Sequence, residues 1–367
     1  MATISKATLS IYIWQGKKDT PPVDPQYTLV KGRLLSEDII TFEVSELVKD
    51  YIDVSFNGNY NEIVQSSWVK MIIDREFDND PSFTDQIIKE DVIAFTGYGE
   101  FEDGINPRLS NNYLISNDVV FVKKGEQTFI PFFKSTETDN AFVVQYLQQN
   151  TVIQSEFIGG SVTDITIDTD EKRISTTDDN YRISQISVRT ADSEGFQSQS
   201  EVPSDADKVK AILADGTELT KEVRQVEECK HTPHKISFIN KFGVIQDLWF
   251  FKRRDDSFEA ERDDYKRSIL NIGSTGVSYS QYDHSKQATD VRASEMLKMN
   301  TGFITEDHNE VIKQLMVTEH CWVHQDGDIT PVVPKTTSFQ EKKEVNEKLI
   351  NFTVEFTVAN NYIQDIR

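Results

Sequence analysis

A chain of 367 residues, 27% charged and 37% hydrophobic, has material for two or three cores, since single cores stop growing at roughly 250–300 residues. The formal charge of -22, from 61 acidic against 39 basic residues, disfavours a polyanionic partner, because nucleic-acid binding needs Lys and Arg to neutralise phosphates. No apolar run approaches the roughly 20 residues that span a bilayer, and the N-terminus lacks the order of a secretion signal, so a soluble chain is expected, with no specific nucleic-acid binding and no membrane insertion.

Taken in chain order, Leu9, Ile11 and Ile13 alternate with Ser10, Tyr12 and Trp14, the two-residue period of a strand with one buried face. Pro21, Pro22 and Pro25 break it, and Tyr27 to Val30 resumes an extended run. Ser45 is expected to cap a short helix whose apolar side is Leu47, Val48, Tyr51 and Ile52, with a turn at Asn57, Gly58 and Asn59 before a strand at Trp68 to Ile73. Further strands are predicted at Val92 to Phe95, Val119 to Val122 and Thr128 to Phe133. From Ser161 to Asp207 the chain is rich in Asp, Ser and Thr. There Val162, Ile165 and Ile167, then Ile183, Ile186 and Val188, predict small strands with acidic loops, and Gln197 to Asp207 reads as a mobile loop. The aromatic runs Ile236 to Phe242 and Val244 to Phe251 read as core strands around Gly243.

The last third opens with a polar strand. Glu259, Glu261 and Asp263 alternate with Ala260, Arg262 and Asp264, so this strand is expected to be solvated in a paired arm or to pair with another subunit. Past the Gly273 and Gly276 turn region, Thr305 is a plausible N-cap for a helix from Glu306 to Thr318, with Val311, Ile312, Leu315 and Met316 as its apolar stripe. Leu349 to Val358 alternates cleanly and supplies a half-buried strand for that helix to lie on. The expected fold is therefore mainly β: β-sandwich or barrel units with a short amphipathic helix packed on the C-terminal sheet. Three domains are drawn, at 1–135, 136–256 and 257–367.

Few residues suggest chemistry. Cys229, His231 and His234, and His320, Cys321 and His324, superficially form two half-sites for zinc, but neither spacing is a finger or ribbon pattern, and ordinary strand and loop residues are the preferred reading. Asp74, Asp78, Asp80 and Asp85 lack the ligand spacing and turn glycine of a calcium loop and read as a solvated acidic segment. No nucleophile elbow, phosphate loop or metal-hydrolase motif occurs, so no catalytic, cofactor-binding or metal residue is assigned, no cofactor is expected and a non-enzymatic role is favoured. Two cysteines give no disulfide framework, which fits synthesis in a reducing compartment.

The stretches Leu9 to Trp14, Tyr27 to Lys31 and Phe42 to Ile52, the run Phe238 to Phe251 through Gly243, and the segment Asn300 to Arg367 together resemble virion structural proteins of tailed bacteriophages. Within that group, a sandwich carrying one helix between strands is similar to the ring-forming domain of tail-tube and distal-tail proteins. The acidic stretch Ser161 to Asp207 has no counterpart in the simplest of these. What the resemblance implies is a distal-tail or baseplate ring component linking tube to adhesion apparatus. It would be made in the bacterial cytoplasm, reside in the virion and contact other virion proteins and copies of itself in a ring, hexameric in the proteins it resembles. The alternatives are a capsid decoration, neck or fibre-attachment protein, and a carbohydrate-binding or hydrolytic tail protein.

Overall fold

The computed structural model describes residues 4–15, 20–34, 39–58, 66–78, 80–100, 112–124, 126–133, 142–158, 183–189, 205–213, 215–274, 276–325, 327–336, 338 and 350–359. The fold is mainly β, with several largely antiparallel sheets in a sandwich-like arrangement and two α-helices among the described residues. In the N-terminal sheet, β1 (Ile4–Trp14) pairs on one side with β2 (Tyr27–Gly32) and on the other with β3 (Ser66–Phe77), which in turn pairs with β4 (Asp80–Phe95). The alternation of β1 does what its period implies: Leu9, Ile11 and Ile13 are buried together with Val69, and Met71, Ile73, Val92 and Ala94 extend the same face. Helix α1 (Ser45–Lys49) covers that face through Val48, flanked by Leu47 and Ile52.

The expected cap on α1 is corrected. Ser45 is the first helical residue, Val44 precedes it with no side-chain cap, and the Glu43 carboxylate instead takes the Ser45 N–H at 3.1 Å and the Ser45 hydroxyl. Those bonds hold the Glu43 carboxyl below its ordinary range. Asn59, at the expected turn, lies outside the described residues.

The middle sheet runs in the order β5 (Val119–Lys123), β11 (Glu218–Val226), β10 (Lys208–Leu213), β7 (Phe142–Gln148), β8 (Thr151–Ile158). Beside it lies a two-stranded sheet of β6 (Gln127–Phe133) and β9 (Ile183–Arg189). Ile183, Ile186 and Val188 are in β9, as their rhythm predicts, whereas Val162, Ile165 and Ile167 fall outside the described residues. The expected mobile loop is described only at its end, and that end is held: Ala206 is buried, the Asp207 N–H donates to the Leu147 carbonyl at 2.9 Å, and the Asp207 carboxylate accepts from Gln149 N–H at 3.0 Å.

The largest sheet has seven strands in the order β13 (Ile245–Phe250), β12 (His234–Ile239), β18 (Cys321–Gln325), β19 (Asp328–Pro334), β20 (Thr353–Val358), β17 (Lys286–Asn300), β14 (Arg254–Lys266). Helix α2 (His308–Val317) lies on it, burying Val311, Ile312 and Leu315 against Ile236, Phe238 and Phe356. Strand pairing thus joins chain segments on either side of residues 135 and 256, since β5 pairs with β11 and β12 pairs with β18. The cap of α2 differs from expectation as well. Asp307 occupies the N-cap position without capping its own helix, and the Thr305 hydroxyl meets the His308 ring nitrogen Nδ1 at 3.1 Å.

β14 is a paired arm, as its composition suggests. It forms an antiparallel ladder with β17 from Arg254↔Met299 to Lys266↔Lys286, and every residue after Arg254 is exposed. Beyond it, β15 (Leu270–Gly273) and β16 (Gly276–Tyr279) pair, among the described residues, only with each other and form the tip.

Candidate functional site

The zinc half-sites do not come together as centres. Strand alternation puts Cys321 in the core beneath α2 and His324 on the opposite face, while His320 stacks on Trp322 with centroids 6.0 Å apart. Burial pushes the Cys321 thiol up. Cys229 is exposed, and no group of three His, Cys, Asp or Glu able to hold a metal occurs among the described residues. Of the acidic set, Asp74 accepts from Gln86 Nε2 at 2.9 Å, Asp78 pairs with Arg33 at 3.4 Å and Asp85 pairs with Arg75; the Asp80 side chain lies outside the described residues.

Sequence reading missed a buried cluster on the back of β12, β13 and β18. Ser237 Oγ lies 2.6 Å from Asp247 Oδ1 and 2.7 Å from His324 Nε2. The Ser237 hydroxyl spends its one proton on the Asp247 carboxylate, so the imidazole donates to the hydroxyl, which sets the Nε2–H tautomer. The serine therefore stands between acid and imidazole, whereas a nucleophilic triad needs the imidazole in the middle to take the hydroxyl proton. Ser237 is also fully buried, out of reach of any substrate. The cluster is a joint. Asp247 Oδ2 takes the Phe129 N–H at 3.2 Å, the Trp249 indole donates to Thr128 Oγ1 at 2.6 Å, and Phe56 packs edge-on to Trp322 at 5.3 Å. No spacing rule would have flagged these residues, because strand pairing brings them together.

Burial and the nearby Lys235 lower the His324 pKa from 6.5 to about 4, against an opposing pull from Asp247. Unfolded, this ring takes a proton near pH 6.5; folded, only near pH 4. Between those values the unfolded state binds more protons, so the His324 contribution is complete above pH 6.5 and is lost as pH falls toward 4, amounting to roughly 2–3 kcal/mol. His324→Gln, which can keep an N–H donor without titrating, is expected to lose less stability than the wild type between pH 6.5 and pH 4 in denaturant titrations. Parallel curves would remove the imidazole from the account.

A cleft of about 540 Å³ opens between α1, the ends of β3 and β4, and the segment after α2. Its walls include Val48, Ile52, Val69, Met71, Val92 and Val317, and Lys49 reaches across to Glu319 at 2.9 Å. The flank is acidic: Glu43, Glu46, Asp50 and Asp53 outnumber Lys49 between residues 43 and 53. Tyr98, another wall residue, has its phenol pushed up to about 12 by burial and by the neighbouring carboxylates Glu310 and Glu100.

The arm tip has the opposite character. Leu270 faces Tyr279 and Ile272 faces Val277 across the β15–β16 ladder, so period-2 geometry puts all four on one side. They are 55%, 69%, 85% and 62% exposed in that order. Cleft and tip both present apolar side chains at the surface. Among the described residues no helix is long and apolar enough to cross a membrane. No protein-family model, curated protein or solved structure matches the chain.

Proposed function

We propose that the chain is a non-enzymatic structural subunit of a tailed-phage virion, a distal-tail or baseplate ring component. The observation that carries this reading is the arm. A mainly β body extends a long two-stranded ladder whose outer strand, β14, ends the sheet order, so its outer edge has no partner strand among the described residues and its tip carries an uncovered apolar face. Free edges and apolar faces of this kind are liabilities in a monomer and are ordinary features of a repeated subunit. The buried Ser237–Asp247–His324 joint supports the same reading, since its polar groups are spent on holding the body together.

Negative-stain class averages and sedimentation of the purified full chain test the proposal. The expected result is a closed ring of fixed symmetry. Single copies only, both in solution and in images of intact particles, would sink it. A second reading, a carbohydrate-binding tail protein, is favoured by the exposed rings of Tyr279 and Tyr282; oligosaccharide titrations that leave the intrinsic fluorescence unchanged would dismiss it.

A further inference from the structure

We infer that the arm tip of one copy seats its Leu270, Ile272, Val277 and Tyr279 face in the cleft beside α1 of the next copy, a head-to-tail contact that rests on the ring-subunit reading. Three observations carry it. The first is reach. β20 pairs only with the Met296–Asn300 end of β17, so the ladder from Phe258↔Glu295 outward stands clear of that strand. At about 3.3 Å per residue the Phe258–Lys266 stretch alone extends roughly 30 Å. No described residue of the same chain covers this apolar face, and a second copy is the molecule that buries it.

The second observation is charge. Lys266 and Lys286 face each other directly across the ladder, and Arg267 follows, against Asp283 alone; residues 266–286 thus carry three positive charges and one negative, +2 on a chain of -22. Like charges placed opposite on a ladder destabilise it, and an acidic partner beside this basic collar relieves the repulsion. The flank of the cleft is acidic, with Glu43, Glu46, Asp50 and Asp53 against Lys49. Tip and cleft are therefore complementary in sign as well as apolar at their centres.

The third is shape. A cleft of about 540 Å³ walled by Val48, Ile52, Val69, Met71, Val92 and Val317 suits a narrow, four-side-chain ridge better than a flat surface. Because tip and cleft are different patches on one chain, the contact is heterologous, and repeating it closes a ring or continues as a filament. Aliphatic side chains dominate the ridge, with Tyr279 its single ring, which suits a protein partner better than a sugar.

Two full-length variants test the contact, each altering an exposed position so that folding is spared: Ile272→Asp at the tip and Val317→Lys at the cleft wall. Each is expected to lower the association constant roughly 30-fold or more, the effect of losing a central contact residue. Mixing the two then decides the geometry. The tip variant keeps an intact cleft and the cleft variant an intact tip, so the mixture should form dimers and nothing larger. If Ile272→Asp still forms wild-type rings, the subunit reading stands and the arm-to-cleft contact is wrong. If both variants are monomeric and the mixture stays monomeric, the tip meets some other surface and the cleft assignment fails. A wild-type chain that never assembles overturns the subunit reading and this inference together.

Discussion

Replacing Leu315 with Ala is expected to cost about 2–5 kcal/mol of stability, while Lys313→Ala changes it by about 0.5 kcal/mol or less. Leu315 is fully buried on the sheet-facing side of α2, among Val311, Ile312, Phe238 and Phe356, so truncation removes apolar contact and leaves a cavity that the strands of the seven-stranded sheet cannot close. Two residues back along the helix, Lys313 is nearly half exposed and reaches Glu310 only at 4.0 Å, where a surface ion pair contributes little. Chemical unfolding of both variants checks the phase of the helix. Equal shifts in midpoint would mean that the buried stripe has been assigned to the wrong side.

Gly243→Ala is expected to be of similar size, about 3 kcal/mol or more, for a different reason. Gly243 sits in the β12–β13 turn at φ +76°, where an L side chain is strained, and an added Cβ would lie 2.7 Å from Phe95 Cβ and 2.9 Å from the Gly97 nitrogen. Neither atom can give way cheaply, because Tyr98 N–H donates to the Lys241 carbonyl at 2.9 Å and holds the two segments in contact. Gly216→Ala is the internal control: its φ is +84° but no atom lies within 4 Å of the new Cβ, so only backbone strain of about 1–2 kcal/mol is expected. Similar losses in the two variants would show that the close approach between Phe95–Gly97 and Gly243 contributes nothing. Since Phe95, Gly97 and Asn240 also line the cleft, Gly243→Ala should weaken self-association along with stability.

Helix α2 shows how far local pattern reaches. Its stripe of Val311, Ile312 and Leu315 is legible at helical spacing, but His308 and Gln314 are buried as well, on a side that reads as polar. Gln314 Nε2 donates to Ser116 Oγ at 2.7 Å, His308 packs edge-on against Phe121 at 5.4 Å, and the Asp307 carboxylate accepts the N–H groups of Asp118 and Val119 at 2.6 and 3.1 Å. The partners are nearly two hundred residues away in sequence, so no local window contains the signal. The caps at Ser45 and Thr305 are illegible in the sequence for a related reason: several side chains near each helix start compete for hydrogen-bond partners, and only their placement decides which one wins.

Side-chain periodicity by itself determined which residues face a core in β1, in the Ile350 to Val358 segment and in α2, while the composition of β14 left a solvated paired arm and pairing with another subunit both open, and the ladder with β17 is known only from the tertiary structure. A period of two or 3.6 states which face is apolar and says nothing about what covers it. The alternation of Leu270 and Ile272, then Val277 and Tyr279, about Gly273 and Gly276 is open to the same reading, yet only the tertiary structure shows that no described residue covers this face. Tertiary structure alone also decided that β5 lies parallel to β11, that β12 and β13 join the C-terminal sheet, and that Ser237, Asp247 and His324 converge. Each is a long-range pairing, chosen by which edges and surfaces remain free once the local elements have formed, and that competition is settled across the whole chain.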